Sequence, residues 1–413
     1  MAQNKIAVVG GGAAGLFAAG HAASMGCEVT LFEKNDRLGK KLRITGKGRC
    51  NVTNNCDVPE LLQNIPTNAR FLHSAVRAYP PSAVMSFFEE QGVPLKTERG
   101  NRVFPVSDHA SDIVEALKRF CKAGGVDFRF EKVLSLKVND GVCRGVVTKK
   151  GEEDFDFVIL CTGGLSYPLT GSDGDGLRFC EENGIDIVPC KGSLVPINST
   201  DACCKQMQGL TLRNIRFTVK KDGKAIYDDF GEMMFTHFGL TGPVVLSASA
   251  HMREIGNARY SAHIDLKPAL DEKALDARLL SDFAKFANKD FCNALDDLLP
   301  QKMIPVFLEK SRIDPRKKVN IISKDERKRL LNLFKDFSVS IHSFRPIDEA
   351  IITSGGVSVK EIDPRTMACK KIGRLYLAGE MIDVDGYTGG FNLQIAFSTA
   401  YAAAKAVSES VHE

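Results

Sequence analysis

The sequence predicts an α/β fold in which a domain built on a parallel sheet is split by an inserted module of strands and helices. Residues 1–50 read as strand, glycine turn, helix and strand. From residue 193 the pattern changes to β-type alternation and then to charged helical segments, and from residue 345 it returns to glycine turns and short apolar strands. A chain of 413 residues exceeds the usual size of one core, so several domains are expected.

The composition is that of an ordinary soluble globular protein, with 44% hydrophobic and 26% charged residues. The net charge of +4 gives no general argument for a nucleic-acid partner. None of the twelve cysteines forms a C-x-x-C pair, so we expect no metal site and free thiols of a reducing, cytoplasmic compartment. We find no charged-then-apolar leader and no apolar run of ~18 residues, so we expect neither a signal peptide nor a membrane span.

The chain begins with an apolar strand that enters a glycine turn and then an Ala-rich helix pattern. Gly10, Gly12 and Gly15 have the G-x-G-x-x-G spacing, which allows a tight turn, close approach of a diphosphate and close helix–strand packing. Ala13 and Ala14 open the helix, whose free N–H groups favour an anion. Glu33 ends a second apolar run 18 residues after Gly15, close to the ~20 expected for an acid that binds a ribose hydroxyl. This order predicts a dinucleotide site.

The loop that follows Glu33 is rich in cations and glycine. Five cations occur within residues 40–49, a density that suits a diphosphate or an anionic substrate, although a solvated basic loop has the same composition. Cys50 has no partner at C-x-x-C spacing, which favours a structural or cofactor-lining cysteine over a redox pair. The candidate residues from this region are Lys34, Lys41, Arg43, Gly48, Arg49, Cys50 and Asn51.

The rest of the chain divides by pattern. Helical spacing occurs at residues 70–92 and 108–124, and four strands are predicted at Val126–Phe130, Val133–Val138, Cys143–Thr148 and Phe155–Leu160. Asn139-Asp140-Gly141 suits a hairpin turn. Further helices are predicted at Glu272–Ala287, Phe291–Leu299, Met303–Ser311, Lys324–Phe337 and Gln394–Val411. We therefore predict a first domain part at 1–192, a β-rich insertion at 193–268, a helical subdomain at 269–340 and a final domain part at 341–413.

Two further motifs follow apolar strands. Thr162-Gly163-Gly164 follows Phe157–Cys161 and resembles the internal A-T-G motif of flavoproteins of the glutathione-reductase type. Gly379-Glu380 follows Arg374–Ala378 and leads to Gly390, Asn392 and Leu393, which resembles the C-terminal flavin motif of FAD enzymes. In such enzymes the acid binds the ribitol chain, and a helix N-terminus faces the flavin pyrimidine edge.

Four motifs together resemble one bacterial family of FAD-dependent oxidoreductases. They are Gly-Arg-Cys-Asn-Val-Thr-Asn at 48–54, Phe-Thr-His-Phe-Gly-Leu-Thr-Gly-Pro at 235–243, Thr-Ser-Gly-Gly-Val at 353–357 and the run from Gly379 to Gln394. The family, the HI0933-like flavoproteins, includes bile-acid 4,6-reductases, aminoacetone oxidases and an rRNA dihydrouridine synthase. The resemblance implies a split Rossmann-like FAD domain with an inserted module, and it implies that the backbone of Val133 binds adenine.

We find no second G-x-G-x-x-G motif that opens a separate nucleotide domain, so NAD(P)H is expected only as a transient co-substrate with ping-pong kinetics. The resemblance favours NAD(P)H-driven reduction of an activated C=C bond, first of all in a planar, apolar 3-oxo-4-ene or 4,6-diene steroid such as a bile acid intermediate. Tyr387, His237 and Tyr167 are the candidate acids because each lies in a loop dense in motifs.

Three alternatives stay open. Reduction of a uridine in ribosomal RNA is the same hydride addition, and the basic clusters at 316–318 and 324–329 favour it, although a solvated helix face explains them as well. Oxidation of an amine such as aminoacetone by O₂ is the second alternative. A non-catalytic flavin-binding regulator is the third. The sequence does not indicate an oligomeric state.

Overall fold

The structure is a computed structural model that describes residues 3–252 and 254–410. Its strands, in chain order, are β1 Lys5–Val9, β2 Glu28–Phe32, β3 Thr53–Asn54, β4 Leu95–Glu98, β5 Arg102–Pro105, β6 Asp127–Arg129, β7 Val133–Asn139, β8 Val142–Thr148, β9 Gly151–Asp154, β10 Phe157–Leu160, β11 Ile187–Ser193, β12 Ile197–Asn198, β13 Thr211–Lys221, β14 Lys224–Phe235, β15 Gly239–Thr241, β16 Tyr260–Asp265, β17 Phe337–Ile341, β18 Ser343–Phe344, β19 Ile352–Val357 and β20 Leu375–Leu377.

The α-helices, also in chain order, are α1 Ala13–Ser24, α2 Lys40–Ile44, α3 Val58–Gln63, α4 His73–Ala78, α5 Pro81–Glu90, α6 Ala110–Ala123, α7 Asp175–Glu182, α8 Ala202–Gln206, α9 Pro243–Ser249, α10 Glu272–Lys285, α11 Ile304–Ser311, α12 Lys324–Lys335 and α13 Phe391–Glu409. Val411, where the sequence analysis ends the last helix, lies outside the described residues. The chain forms two compact units. The first runs to Ser193 and resumes at Ile347, and the second spans Leu194–Pro346.

The first unit is built on a parallel sheet with the strand order β20-β10-β1-β2-β6. All four pairings are parallel, and β20 comes from the far end of the chain to pair with β10. The central strands are apolar and almost fully buried, as expected for a parallel sheet covered on both faces. The predicted α/β class and the return of the C-terminal segment to the first sheet are therefore confirmed.

Smaller sheets complete the first unit. The strands β7, β8 and β9 form an antiparallel meander, and Asp140 and Gly141 make its first turn with positive φ values of 49° and 74°. These values fit the hairpin predicted there from Asn139-Asp140-Gly141. The strands β3, β5 and β4 form a second small sheet, and β11 pairs with β19.

The second unit is a seven-stranded sheet with the order β17-β16-β13-β14-β15-β12-β18, and its pairings are antiparallel. It has its own hydrophobic core, to which both the sheet and α9–α12 contribute, with Phe217, Phe235 and Phe334 among the fully buried side chains. The helix α12 starts with a complete capping box between Ser323 and Glu326.

Three predicted helices differ in the structure. Residues 70–92 form two helices, because Pro80 and Pro81 follow Tyr79, whose backbone is non-helical. Phe291–Leu299 is not a continuous helix, and only Phe291–Asn293 makes a 3₁₀ turn. The helix predicted to reach Phe337 ends at Lys335, and the fully buried Phe337 begins β17, which pairs with β16. The predicted helical subdomain at 269–340 therefore contributes β17 to the sheet of the β-rich insertion. Both stretches pack around the same hydrophobic core.

Candidate active site

The glycine turn between β1 and α1 is tight and allows the close helix packing that the sequence predicts. Gly10 has a φ of 106°, and a Cβ on it would lie 2.5 Å from the carbonyl oxygen of Cys161. A Cβ on Gly15 would lie 1.7 Å from the carbonyl oxygen of Gly10, so this glycine allows the helix to pack on the turn. A Cβ on Gly12 would meet nothing within 4 Å. Gly12 therefore leaves open space where a diphosphate is expected to approach.

The first turn of α1 faces the same space. No side chain of the described residues caps this helix at Gly12, and both Ala13 and Ala14 line a cleft beside it. Uncapped N–H groups at a helix N-terminus bind anions through their own hydrogen bonds and through the helix dipole. This part of the cleft therefore fits a diphosphate.

Glu33 lies at the end of β2 and is buried, with 7% of its surface exposed. Its Oε2 accepts a hydrogen bond from the backbone N–H of Gly11 at 2.7 Å. Its Oε1 accepts from the backbone N–H of Asn35 at 2.8 Å and from Asn35 Nδ2 at 2.6 Å. The carboxylate is thus fixed beside the glycine turn at the wall of the cleft, where an acid that binds a ribose hydroxyl is expected.

The cleft lies within the first unit and encloses about 1240 Å³, part of it open to solvent. Its walls contain many of the predicted cofactor residues, which are Gly10, Gly12, Ala13, Ala14, Glu33, Lys34, Lys41, Val133, Thr162, Gly163, Gly379, Glu380, Asn392 and Leu393.

Glu380 and Lys41 form a charged centre in this cleft. Lys41 Nζ lies 2.5 Å from Glu380 Oε2 and donates to Ser166 Oγ at 2.6 Å. The other carboxylate oxygen, Oε1, accepts from Ser166 Oγ at 2.7 Å and from the backbone N–H of Thr353 at 3.0 Å. Glu380 is therefore held by groups from three separate segments of the first unit.

The N-terminus of α13 also faces the cleft, through Asn392 and Leu393. The side chain of Asn392 accepts from the backbone N–H of Gly386 and donates to its carbonyl oxygen, both at 2.8 Å. Gly390, which caps the helix with a φ of 99°, packs so closely on Thr53 that a Cβ would lie 2.3 Å from its backbone. Gly390, which the sequence predicts in the cofactor site, thus also allows the start of α13 to pack closely on Thr53.

Several predicted residues lie outside the lining of the cleft. The guanidinium of Arg43 pairs with Glu115 at 2.9 Å. Arg49 pairs with Glu98 and Asp108 and stacks 4.1 Å from the ring centre of Phe104. These carboxylates neutralise cations that the sequence alone presents as free. The other predicted residues outside the lining are Gly15, Gly48, Cys50, Asn51, Gly164 and Gly390.

Cys50 is fully buried, and burial raises the pKa of its thiol to about 12. The thiolate, which is the nucleophile of cysteine redox chemistry, is therefore not formed near neutral pH. This property agrees with the structural reading of Cys50 rather than with a redox role.

The three candidate acids do not lie together in one unit. Tyr167 and Tyr387 are half-buried in the first unit, and His237 is exposed in the second. None of the three lines the cleft. Tyr167 lies beside the charged centre, because Lys41 Nζ lies 5.9 Å from the centre of its ring. Its φ of 53° is unusual for a bulky residue, a kind of backbone strain that clusters at functional sites.

Sequence reasoning missed several residues of this site. Ser166 and Thr353 bind Glu380 through short hydrogen bonds, and both lie in or beside motifs that the sequence analysis quotes. Asn35 and Lys132 are neighbours of predicted residues, and Asp175 begins α7 directly after a short segment that contains Gly171 and Gly174. Their positions next to Lys34, Val133 and Gly174 were the available signal.

The sequence predicts neither a metal site nor a membrane-spanning helix, and the two findings that follow apply only to the described residues. Within residues 3–252 and 254–410, no group of three or more His, Cys, Asp or Glu side chains is arranged to hold a metal ion. Across the same residues, no helix has the length and apolar character required to cross a membrane.

Comparison with known proteins gives a family match over nearly the whole chain. The family described as HI0933-like protein Rossmann domain matches residues 4–406. A ribosomal RNA dihydrouridine synthase of Haemophilus influenzae is 31% identical over 409 residues, which cover 97% of this chain and 98% of that protein. A 3-dehydro-bile acid delta(4,6)-reductase of Clostridium scindens is 27% identical over 414 residues, which cover 98% of this chain and 100% of that protein.

Solved structures of distant sequence share the fold. The 3-ketosteroid delta1-dehydrogenase of Sterolibacterium denitrificans superposes with a TM-score of 0.52 at 10% identity, and the match covers 98% of this chain and 100% of that one. At this level of identity the likeness establishes the architecture alone.

Proposed function

The chain belongs to the HI0933-like family of FAD-dependent oxidoreductases, and from that premise we propose that it reduces a carbon–carbon double bond conjugated to a carbonyl group. The proposal rests on the chemistry that is common to the two relatives described above. A dihydrouridine synthase saturates the C5–C6 bond of uridine, and a bile acid delta(4,6)-reductase saturates double bonds conjugated to a 3-oxo group. Both relatives match this chain over nearly its full length.

The residues of the cleft fit FAD. The uncapped turn at Gly12 suits the diphosphate, Glu33 suits the adenosine ribose, and Glu380 suits the ribitol chain. The N-terminus of α13 presents the positive end of a helix dipole to the cleft, which favours negative charge on a reduced cofactor. When bound, FAD supplies the hydride for the double bond.

The protein must also supply or direct a proton, because hydride addition to such a double bond leaves negative charge on the carbonyl side. Among Tyr387, His237 and Tyr167, we propose Tyr167 as the donor. Its position beside Lys41 and its strained backbone support this choice.

For the substrate, the higher identity to the ribosomal RNA enzyme supports a uridine in RNA as the first candidate. The basic clusters of the second unit add little support, because Lys317, Lys318 and Arg327 pair with carboxylates. A 3-oxo-4-ene or 4,6-diene steroid, which the sequence analysis places first, is the second candidate and rests on the bile acid relative. NAD(P)H is the proposed electron donor in both cases.

Anaerobic spectroscopy of the purified yellow protein tests this proposal. We expect NADH or NADPH to bleach the flavin band, and we expect unmodified ribosomal RNA to restore it with formation of dihydrouridine that mass spectrometry detects. Restoration by a 3-oxo-4,6-diene steroid instead would select the second candidate. Bleaching by aminoacetone without a nicotinamide would overturn double-bond reduction in favour of amine oxidation, and a flavin that no donor reduces would favour the non-catalytic regulator.

Initial-rate kinetics separate the two half-reactions. If the nicotinamide reduces the oxidised enzyme and leaves before the substrate reoxidises the reduced enzyme, double-reciprocal plots form parallel lines. Intersecting lines would show that the nicotinamide and the substrate bind to the enzyme at the same time. They would contradict the prediction that NAD(P)H is a transient co-substrate.

A further inference from the structure

A short loop crosses the end of the cleft that contains Glu33. It consists of Thr170–Asp175, from the last residue of a 3₁₀ turn to the first residue of α7, and we refer to it as the strap. Thr170, Gly171, Ser172 and Asp175 all line the cleft. The sequence predicts no role for this loop.

Ion pairs join the strap to two other walls of the cleft. Lys34, which follows Glu33, lies 3.0 Å from Asp175 Oδ2 and also pairs with Asp173. Lys132, which precedes Val133, lies 2.8 Å from the same oxygen of Asp175. One carboxylate therefore bridges the segment after β2 and the segment before β7, the two segments expected to contact ribose and adenine.

Close backbone packing accompanies these ion pairs. Gly171 has a φ of 104°, and a Cβ on it would lie 2.5 Å from Asn35 Nδ2. That Nδ2 donates to the carbonyl oxygen of Thr170 at 3.1 Å and to Glu33 Oε1 at 2.6 Å. Asn35 thus connects the strap directly to the acid that is expected to bind the ribose.

The charge on Asp175 persists over the physiological pH range. Burial opposes its ionisation, but the ammonium groups of Lys132 and Lys34 outweigh burial and lower the pKa of Asp175 to about 2. The side chains of Asp175 and Lys34 are 15% and 22% exposed. Pairs shielded to this extent are screened by salt less than fully exposed pairs, but they are still weakened by it.

From this geometry we propose that the strap retains the adenosine half of FAD in the cleft, and that Asp175 is the residue that fastens it. The inference rests on FAD as the occupant of the cleft. The ion pairs of Lys34 and Lys132 with Asp175 control the rate at which FAD dissociates. The charged centre at Glu380, and not the strap, positions the reacting flavin.

Release of FAD from the holoenzyme tests the role of Asp175. The rate is measured from the glucose oxidase activity that appears after dilution into excess apo-glucose oxidase, which captures FAD as it is released. We expect Asp175→Asn to release FAD about tenfold faster than the wild type, as loss of a charge-assisted contact implies. We also expect added KCl to accelerate release from the wild type and to have less effect on the variant. The spectrum of the bound flavin should be the same in both.

Two other variants complete the test. Lys132→Met removes the second partner of Asp175 and should accelerate release in the same way, which keeps the test decisive if Asp175→Asn does not fold. Asp186→Asn removes an exposed ion pair with Lys371 in the same unit and should leave release unchanged. If both Asp175→Asn and Lys132→Met released FAD at the wild-type rate, the proposal that the strap retains FAD would be wrong. A wild-type protein that binds no FAD at all would instead overturn the cofactor assignment.

Discussion

Lys41 Nζ lies 2.5 Å from Glu380 Oε2, although 339 residues separate the two in the chain. The pair joins the cationic loop near the N-terminus to the Gly-Glu motif near the C-terminus. Because β20 returns to pair with β10, the segment that follows it lies beside the cleft that the first strands begin. The two ends of the chain therefore build one site, and each carries half of its central ion pair.

Replacement of Glu380 by Ala should weaken retention of FAD. The change removes the carboxylate expected to bind the ribitol chain, and it leaves the partly buried ammonium of Lys41 without its ion-pair partner. We expect the dissociation constant for FAD to rise at least about tenfold. The ratio of flavin to protein after gel filtration measures the effect.

Glu361→Ala is a matched control for this variant. Glu361 is a buried glutamate of the same unit, and it pairs with Lys371 outside the lining of the cleft. Its loss should lower stability without a change in flavin content per folded molecule. A fully yellow Glu380→Ala protein would contradict the role given to Glu380.

The glycines of the first turn should respond differently to alanine. Gly12→Ala adds a methyl group in open space at a φ of −84°, so the fold should keep its stability while FAD binding falls. Gly15→Ala places a methyl group 1.7 Å from a backbone oxygen, so we expect a loss of about 3 kcal/mol or more in the free energy of unfolding. Denaturation of the apoproteins and titration with FAD separate the two effects. A Gly12→Ala variant with wild-type affinity for FAD would place the diphosphate elsewhere.

Arg49 should matter for stability and not for the cofactor. Its ion pairs with Glu98 and Asp108 and its stacking on Phe104 occupy the guanidinium, whose pKa these carboxylates raise further. We expect Arg49→Gln to cost about 1 kcal/mol of unfolding free energy and to leave the flavin content unchanged. Denaturation and absorbance measurements check this. Loss of FAD from a stably folded variant would support the original prediction that Arg49 binds the cofactor.

Removal of the hydroxyl of Tyr167 should slow reduction of the substrate alone. A positioned proton donor contributes about 100-fold or more, so Tyr167→Phe should slow reoxidation of the reduced enzyme by its substrate to that extent. Reduction by NAD(P)H should keep its rate, and stopped-flow absorbance measures both steps. Tyr387→Phe and His237→Gln are parallel variants. If one of them gives the selective loss while Tyr167→Phe does not, that residue is the donor.

The sequence predicted the parts of this site that depend on local backbone. A glycine turn, a helix N-terminus and an acid at the end of a strand act through geometry within a few residues, so Gly12 and Glu33 were recognisable from spacing. Partner choice between distant side chains depends on topology instead. Neither the pairing of Lys41 with Glu380 nor that of Lys132 with Asp175 has a local signature.

The same distinction explains the basic loop and the interrupted helices. A sequence shows the cations of residues 40–49 but not the carboxylates of Glu98 and Glu115 that the fold brings to Arg49 and Arg43. Apolar spacing predicted a helix through residues 70–92, but the missing N–H of each proline at 80–81 breaks it. Phe337 fits a helical face by spacing, yet pairing of β17 with β16 determines its conformation.

His21 should make the stability of the protein depend on pH. It lies in α1 among aromatic rings, including those of Phe17 at 4.4 Å and Tyr401 at 5.1 Å, and its Nε2 has no hydrogen-bond partner among the described residues. Burial lowers its pKa from 6.5 to about 4. Between these values the unfolded chain binds the proton and the folded chain does not, so stability falls as the pH falls from 6.5 to 4.

We expect the change of His21 to Phe to remove this dependence. Between pH 7 and pH 5 the wild type should lose about 2 kcal/mol of unfolding free energy relative to His21→Phe, and urea denaturation at the two pH values measures this difference. His73→Gln, at an exposed histidine, is the control and should follow the wild type. If His21→Phe also followed the wild type, His21 would have to carry a proton in the folded protein, and the aromatic cluster would have to accommodate a cation.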